Sequence, residues 1–288
     1  GPSEKLYFSH NNLKITKYYN INTTNKICYD KDEFKSNFSE NIKLHLRSDV
    51  KSAFLLSGGL DSTSIVASAN LFKKNIRAFS IDPKSTENES SLIRHFVKKK
   101  KINHEFVNVD NQIDDEILKK IIYFQDEPFH STGGIYQYLL THHIKKQSYK
   151  VLFTGDGADE VFGGYNRMFI YYMAYLYKEN YKKKFDEIIY SRKLNKNKIK
   201  IDVKNLLNKI NNNENDFENN QVFKYVNKSK ISNLKKIYDL RWNKIKNTKG
   251  DIFKKTLKNS IFSNDLQMAL RMIDRNSMSA SIENRAPF

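Results

Sequence analysis

The sequence predicts an α/β fold, a parallel sheet covered by helices on both faces, followed by a helical C-terminal part. Three observations carry this expectation. Between Ala53 and Gly155, short apolar runs of strand length alternate with longer stretches of helical spacing, the pattern of parallel strands joined by crossover helices. Two of the runs, AFLLS (53–57) and KVLFTG (150–155), end in glycine or lead straight into it, which suits strands that turn sharply into helices. Beyond Tyr165 strand signals fade and the chain reads as helices.

In chain order, residues 1–3 (GPS, with no initiator methionine) read as the remnant of a cleaved purification tag, so the natural start is expected upstream. Residues 4–30 read as a linker or edge element, in which YFSHNNLKITKYYN (7–20) sets Asn-Asn between two mixed runs like a short hairpin. DEFKSNFSENIKLHL (32–46) repeats Phe34, Phe38, Ile42 and Leu46 at one-turn intervals, an amphipathic helix. AFLLS is the first buried strand, and Leu60 to Phe72 is a helix packed on it through Ile65, Val66 and Ala69. RAFSI (77–81) is a second strand, ESSLIRHFVKKK (89–100) a second helix and HEFVNV (104–109) a third strand. Helices at 113–124 and 134–147 lead to the fourth strand, KVLFTG, so that 31–165 makes up the sheet core. Residues 166–288 form the helical part, with helices expected at 166–190, 221–246, 251–258 and 263–280. The Asn-rich piece near 211–220 has little to bury and is expected to be a loop or disordered.

Composition narrows the function classes. The single cysteine, Cys28, excludes a disulfide framework and a cysteine zinc cluster and suits a reducing cytosol, so a cytoplasmic location is expected. The longest aromatic-rich run, MFIYYMAYLY (168–177), is shorter than the roughly 20 apolar residues a membrane helix needs. It reads as a buried helix, and no membrane partner is expected. A net charge of +18 raises nucleic acid as a partner. The lysines, however, are scattered through segments equally rich in asparagine and isoleucine, such as 191–220. Compositional bias accounts for them better than a nucleic-acid footprint does.

The chemistry concentrates in two turns. SGGLDS (57–62) lets the N–H groups around Gly58 and Gly59 point at an anion, with the dipole of the following helix behind them. It is a phosphate cradle without the Walker lysine, and Asp61 sits where a cation is expected. A carboxylate beside a polyphosphate repels it unless a cation lies between, and Mg²⁺ is the natural mediator. The second turn, FTGDGADEVFGGY (153–165), crowds Asp156, Asp159 and Glu160 at the end of the fourth strand. Alone it reads equally as an acidic helix start; paired with Asp61 across strand ends it favours a metal.

SGGLDS, DEPF (126–129), GDGADEVFGGY (155–165) and MSASIENRAPF (278–288), in this order, resemble the synthetase domain of the asparagine synthetase family. The resemblance implies the PP-loop ATP pyrophosphatase fold and ATP with Mg²⁺ as cofactors. It also implies adenylation of a small-molecule carboxylate with release of pyrophosphate, followed by attack of ammonia to give an amide, most simply aspartate to asparagine. By the same resemblance Ser57, Gly58, Gly59, Asp61 and Ser62 match the pyrophosphate loop, and Asp61 and Asp159 match the Mg²⁺ ligands. Leu56, Ile81, Thr154 and Gly155 match nucleotide contacts, and Asp156 matches an acid that accepts an ammonia proton. Asp156 stands where many members carry glutamate, one methylene longer. The family's terminal-cysteine glutaminase and its C-terminal catalytic lysine have no counterpart here. Ammonia is therefore expected from a glutaminase domain or subunit outside this chain, and poor catalysis is expected from the chain by itself. A homodimer is compatible with the reading.

Two rivals stand beside it. QDEPFHSTGGIYQYLL (125–140) resembles members found with surface-polysaccharide genes, which makes a glycan uronic acid an alternative acceptor, and tRNA-modifying enzymes share the first turn. Elsewhere, His142 and His143 are consecutive on a helix and cannot face one metal, so they are expected at a solvated surface. His130 follows the DEPF motif, and Trp242 is expected in the core. Arg271, Arg275 and Arg285 are candidates for phosphate or carboxylate, or for pairing with Asp274 or Glu283.

Overall fold

The structure, a computed structural model, describes residues 3–10, 12–19, 30–81, 87–109, 113–127, 131–212, 251–263 and 265–288, with isolated residues between 229 and 243. Cys28, Pro128, Phe129, His130 and Trp242, most of the expected helix at 221–246 and positions 213–220 lie outside the described residues. Two compact units are present: Cys28–Ala158 with Leu266–Phe288, and Gly1–Ile27 with Asp159–Asp265.

The chain opens with a hairpin, β1 (Glu4–Ser9) antiparallel to β2 (Asn12–Lys17). Leu6 pairs with Ile15 and Phe8 with Leu13, which puts the four on one face, and all four are exposed. In the sheet unit follow α1 (Lys31–His45), β3 (Ser52–Leu55), α2 (Leu60–Phe72), β4 (Arg77–Ile81), α3 (Glu87–Lys100) and β5 (Asn103–Val107). Then come α4 (Asp115–Gln125), α5 (Thr132–Lys146) and β6 (Val151–Phe153). Side chains start these helices: Asp30 accepts from the N–H of Asp32 and Glu33, Asp114 from Ile117, and Ser131 from Gly133. The chain continues through α6 (Ala158–Phe162), α7 (Asn166–Lys178), α8 (Lys182–Ser191), α9 (Lys196–Asn212), α10 (Ile252–Ser263), α11 (Asp265–Ser279) and β7 (Glu283–Arg285).

The second sheet has the order β5-β4-β3-β6-β7 and every pair in it is parallel. Alternate residues of each strand feed opposite faces. Phe54, Ala78, Val151 and Phe153 pack with Ile42 of α1, Ile65, Val66 and Ala69 of α2 and Ile93 of α3. Ala53, Phe79 and Leu152 pack with Ile121 of α4 and Tyr138, Leu139 and Ile144 of α5. Strands covered on both faces read as near-continuous apolar runs, which is why β3, β4 and β6 stand out in the sequence.

Three expectations about the later chain are corrected. The 166–190 helix is two helices, because Asn180 takes a left-handed φ of 60° and the N–H of Tyr181 folds back onto the carbonyl of Leu176. Residues 196–212 form α9, whose Ile199 and Val203 join Met173, Leu176, Phe185 and Ile189 in the core of the helical unit. The chain after Tyr165 is not wholly helical, since β7 extends the sheet beside β6. As expected, the run at 168–177 is a buried helix, with Met168, Met173, Ala174 and Leu176 inside α7. No helix among the described residues is long and apolar enough to cross a membrane.

Candidate functional site

Ligands of doubly wound sheets bind beyond the carboxyl ends of the strands, in the crevice where the strand order reverses. Here the order runs outward from β3 through β4 to β5 on one side and through β6 to β7 on the other. The reversal falls between β3 and β6, the strands that lead into the two glycine turns.

After β3, Leu56 is buried, and its N–H donates to the carbonyl of Phe79 at 2.9 Å. Its own carbonyl accepts from the buried hydroxyl of Ser80. Ser80 Oγ lies 2.7 Å from Nε2 of His104. With the Ser80 proton committed to Leu56, that nitrogen is the donor. Burial, reinforced by the charges of Arg77 and Arg94, lowers the His104 pKa to about 4, so the ring is neutral near pH 7. This relay braces the backbone from which the turn departs.

The turn itself is tied by serines. Ser57 N–H donates to Ser62 Oγ at 3.1 Å, and the two hydroxyls are 3.0 Å apart. Gly58 adopts a φ of 83°, a left-handed conformation that costs other residues about 1–2 kcal/mol. Gly59, extended at φ −69° and ψ 165°, begins α2 and offers no side chain to cap it. The start of α2 is therefore left to a ligand or to water. Asp61 lies half-buried in the first turn of α2, where the helix dipole also favours a negative charge.

The turn after β6 closes against this helix start. A Cβ on Gly155 would lie 3.1 Å from the backbone nitrogen of Ser62 and 3.2 Å from Cβ of Asp61, so main chain passes main chain with no room between. Thr154, 3 % exposed, donates its N–H to the carbonyl of Arg285 at 3.0 Å, while its Oγ1 is buried without a hydrogen-bond partner. Asp156 is half-buried and precedes Gly157, which has a φ of 97°. Ile81 ends β4, half-buried. Leu56, Ser57, Gly58, Gly59, Asp61, Ser62, Thr154, Gly155 and Asp156 are thus carried by the turns after β3 and β6, with Ile81 on the neighbouring strand.

Within the helical unit, Asp159 accepts from the N–H of Gly163 and Gly164 through its main-chain carbonyl, and its Oδ1 occupies the space that a Cβ on Gly164 would need. Glu160 is 2 % exposed and receives the Tyr165 hydroxyl at 2.5 Å. Burial, then this bond and the charges of Glu160 and Asp159, push the Tyr165 phenol upward. The acids grouped together in the sequence therefore part: Glu160 is committed inside the fold. Among the described residues no group of three or more His, Cys, Asp or Glu could hold a metal ion. Mg²⁺ bound by one or two carboxylates together with phosphate oxygens and water needs no such cage.

Other candidates find partners in the sheet unit. Arg271 pairs with Glu127 at 2.6 Å, and Arg275 with Asp126 at 3.7 Å and with the carbonyl of Gln125. Arg285 pairs with Glu283 at 2.8 Å and caps the end of α1 through the carbonyls of His45 and Arg47. Instead of a solvated surface, His143 meets Glu105 at 2.7 Å and His142 meets Ser279 Oγ at 3.1 Å, both partly buried. Ser80 and His104 were not picked out in the sequence; a single polar residue inside an apolar strand was the available signal.

Gly155→Val is expected to push the start of α2 away from β6 and to cost about 1–3 kcal/mol, as overpacking does. Urea denaturation beside Gly155→Ala checks it, and equal stability of Val, Ala and parent would refute the close approach.

The asparagine synthase family model matches residues 33–288. A putative glutamine-hydrolysing asparagine synthetase 2 of Methanocaldococcus jannaschii is 32% identical over 169 residues, covering 56% of this chain and 33% of that protein. Glutamine-hydrolysing asparagine synthetase 1 of Bacillus subtilis is 31% identical over 138 residues, 46% of this chain and 21% of its own length. Amidase chyE of Penicillium rubens is 26% identical over 143 residues, 44% and 21% respectively. The chain thus spans about a third or less of the length of these relatives. Among solved structures, the NH3-dependent NAD synthetase of Campylobacter jejuni covers 78% of this chain and 99% of its own at 13% identity and a TM-score of 0.36, too slight a likeness to bear on fold or function.

Proposed function

This chain belongs to the asparagine synthase family, and from that premise we propose that it is the synthetase part of an ATP-dependent amide-forming ligase. One observation carries the reading. Two glycine turns meet at the point where the strand order reverses, main chain against main chain at Gly155 and Ser62, with the start of α2 uncapped.

The residues fit a nucleotide triphosphate with Mg²⁺. The first turn of α2 and the N–H groups of Gly58 and Gly59 suit an anion, and the orphaned Thr154 hydroxyl supplies a buried donor and acceptor just after β6, the strand paired with β3. Ser57, Gly58, Gly59 and Ser62 would hold the pyrophosphate moiety, and Leu56, Ile81, Thr154 and Gly155 the nucleoside end. Asp61 and Asp159 would hold Mg²⁺, which when bound offsets the negative charge of the departing pyrophosphate. The substrate carboxylate oxygen bonds to the α-phosphorus as the α–β bond breaks; ammonia nitrogen then bonds to the activated carbonyl carbon, AMP leaves, and Asp156 takes the proton released. Turn N–H groups aimed at the leaving phosphates lower the barrier to the first step. Aspartate is the proposed acceptor, and ammonia is proposed to come from a glutamine-hydrolysing segment or subunit.

Exchange of labelled pyrophosphate into ATP, run with aspartate and a panel of uronic acids, is the test. Aspartate-dependent exchange is expected. Exchange only with a uronic acid reassigns the acceptor to a glycan acid. Absence of exchange with any acid, together with tight, salt-sensitive tRNA binding, replaces ligase chemistry with RNA modification.

A further inference from the structure

The helical unit carries a second concave site that the ligase reading does not use. A cavity of about 600 Å³ opens where the end of α7 meets the starts of α8 and α9, and that volume is in the usual range for small-molecule sites. Its apolar wall includes Leu176 and Phe185, 2 % and 4 % exposed, and its rim carries Lys178, Lys182, Lys196 and Lys200. Lys196 is held by Asp186 at 2.7 Å. Lys178, Lys182 and Lys200 have no ion-pair partner among the described residues.

The placement of Lys182 and Lys196 runs against helix electrostatics, whereas Lys178 ends α7 as the dipole prefers. Helix starts favour Asp and Glu, because the dipole is positive there. Yet α8 begins Lys182-Lys183-Lys184 and α9 begins Lys196-Asn197-Lys198, with no acid in the first turn of either. Tyr181, the residue before α8, supplies no side-chain cap. Contrast α1, whose first turn carries Asp32 and Glu33 after Lys31, and α3, which ends on Lys98, Lys99 and Lys100 as the dipole prefers. A lysine-rich composition explains how many lysines there are. It does not explain why two helices turn their positive ends and their lysines toward one hollow. Local choices that oppose the fold are commonly kept for function.

We propose that this hollow binds a small molecule bearing two or more phosphate groups. Lysine ammonium groups act as point charges for phosphate oxygens, and the start of α8, which lacks a side-chain cap, adds N–H donors, while Asn195 Oδ1 caps α9 through the N–H of Lys198. Tyr177, 41 % exposed, together with the edges of the buried Leu176 and Phe185, gives the remainder of the ligand an apolar surface. The site is distinct in residues from the turns after β3 and β6 and does not depend on them.

The probe is inorganic tripolyphosphate, with ATP as a second arm, titrated calorimetrically into the full chain at low salt. The variant is Lys178→Gln with Lys182→Gln and Lys200→Gln. The control is Lys98→Gln with Lys99→Gln and Lys100→Gln, which removes the same charge elsewhere. Tripolyphosphate affinity at one class of sites is expected to fall at least about tenfold in the variant and to change little in the control. Lys182 opposes the dipole of α8 while Lys178 suits that of α7, so the ligand-free variant is expected to melt near the parent. ATP competing at the same site marks a nucleotide; tripolyphosphate alone marks an inorganic polyphosphate. Equal losses in variant and control mean diffuse attraction and overturn the proposal, as does tight binding of a single-stranded RNA that tripolyphosphate cannot displace. Pyrophosphate exchange is read in parallel; its absence counts against the ligase reading only, and its persistence in the variant separates the two sites.

Discussion

Asp61→Asn is expected to lower Mg²⁺-dependent exchange of pyrophosphate into ATP by about a hundredfold or more, in the range found when a group that stabilises transition-state charge is removed. The substitution keeps the size of the side chain and removes one negative charge. Asp61 is half-buried in the first turn of α2, where the dipole contribution of its charge is worth about 0.3–1 kcal/mol. The sign of the effect on ATP affinity separates two roles. If Asp61 only satisfied the helix dipole, removing a negative charge beside a polyphosphate would tighten nucleotide binding. If it holds Mg²⁺, binding weakens and more Mg²⁺ is needed to restore exchange. Titrating Mg²⁺ at fixed ATP for parent and variant reads the difference directly, with thermal melts confirming that both are folded. Tighter ATP binding with an unchanged Mg²⁺ requirement would sink the metal assignment.

Much of the sheet unit was legible because its physics is local. Parallel strands buried on both faces read as near-continuous apolar runs, and glycine marks the turns after β3 and β6. Hence 77–81 and 60–72 were read at the bounds observed for β4 and α2. The helical unit was less legible. In α9 the core positions Ile199 and Val203 lie among lysines and among asparagines, the latter weak helix formers, and the composition hid the period. β7 is three residues long, too short for alternation to register, and exists because β6 offers it an edge. At the candidate site, the residue types in the two turns were readable. Their bracing was not: Ser80 and His104 join strands β4 and β5, and Thr154 meets Arg285 from more than a hundred residues away. Such pairs have no sequence period, since the fold rather than the spacing brings them together.

The same lesson applies to Asn276, where the largest loss of stability is expected. Asn276 is fully buried on α11, and it accepts from Gln125 Nε2 at 2.7 Å while donating to the Gly134 carbonyl at 2.9 Å and to Gln137 Oε1 at 2.5 Å. Gln125, 2 % exposed, also donates to the carbonyl of Met272 at 2.9 Å. Close packing surrounds the network, since a Cβ on Gly134 would lie 3.0 Å from the sulfur of Met272. Asn276→Ala therefore leaves several buried polar groups short of a partner where water has little room. Each such group costs about 1–3 kcal/mol, and with partial relaxation the total is expected near about 3 kcal/mol. For a chain of this size that lowers the melting temperature by roughly 6–12 °C. Arg271→Ala removes the half-exposed pair with Glu127 on the same helix and is expected to cost about 1 kcal/mol or less. The two variants, melted side by side, weigh buried satisfaction against surface charge. Gln125 ends α4 and passes the chain to Asp126, whose φ of 53° starts the segment bearing the DEPF motif. If the network fixes that segment, Asn276→Ala also raises the KM for the carboxylate more than it lowers kcat, and Arg271→Ala leaves KM near the parent. Equal melting temperatures for the two variants would show that the network carries no more stability than an exposed ion pair.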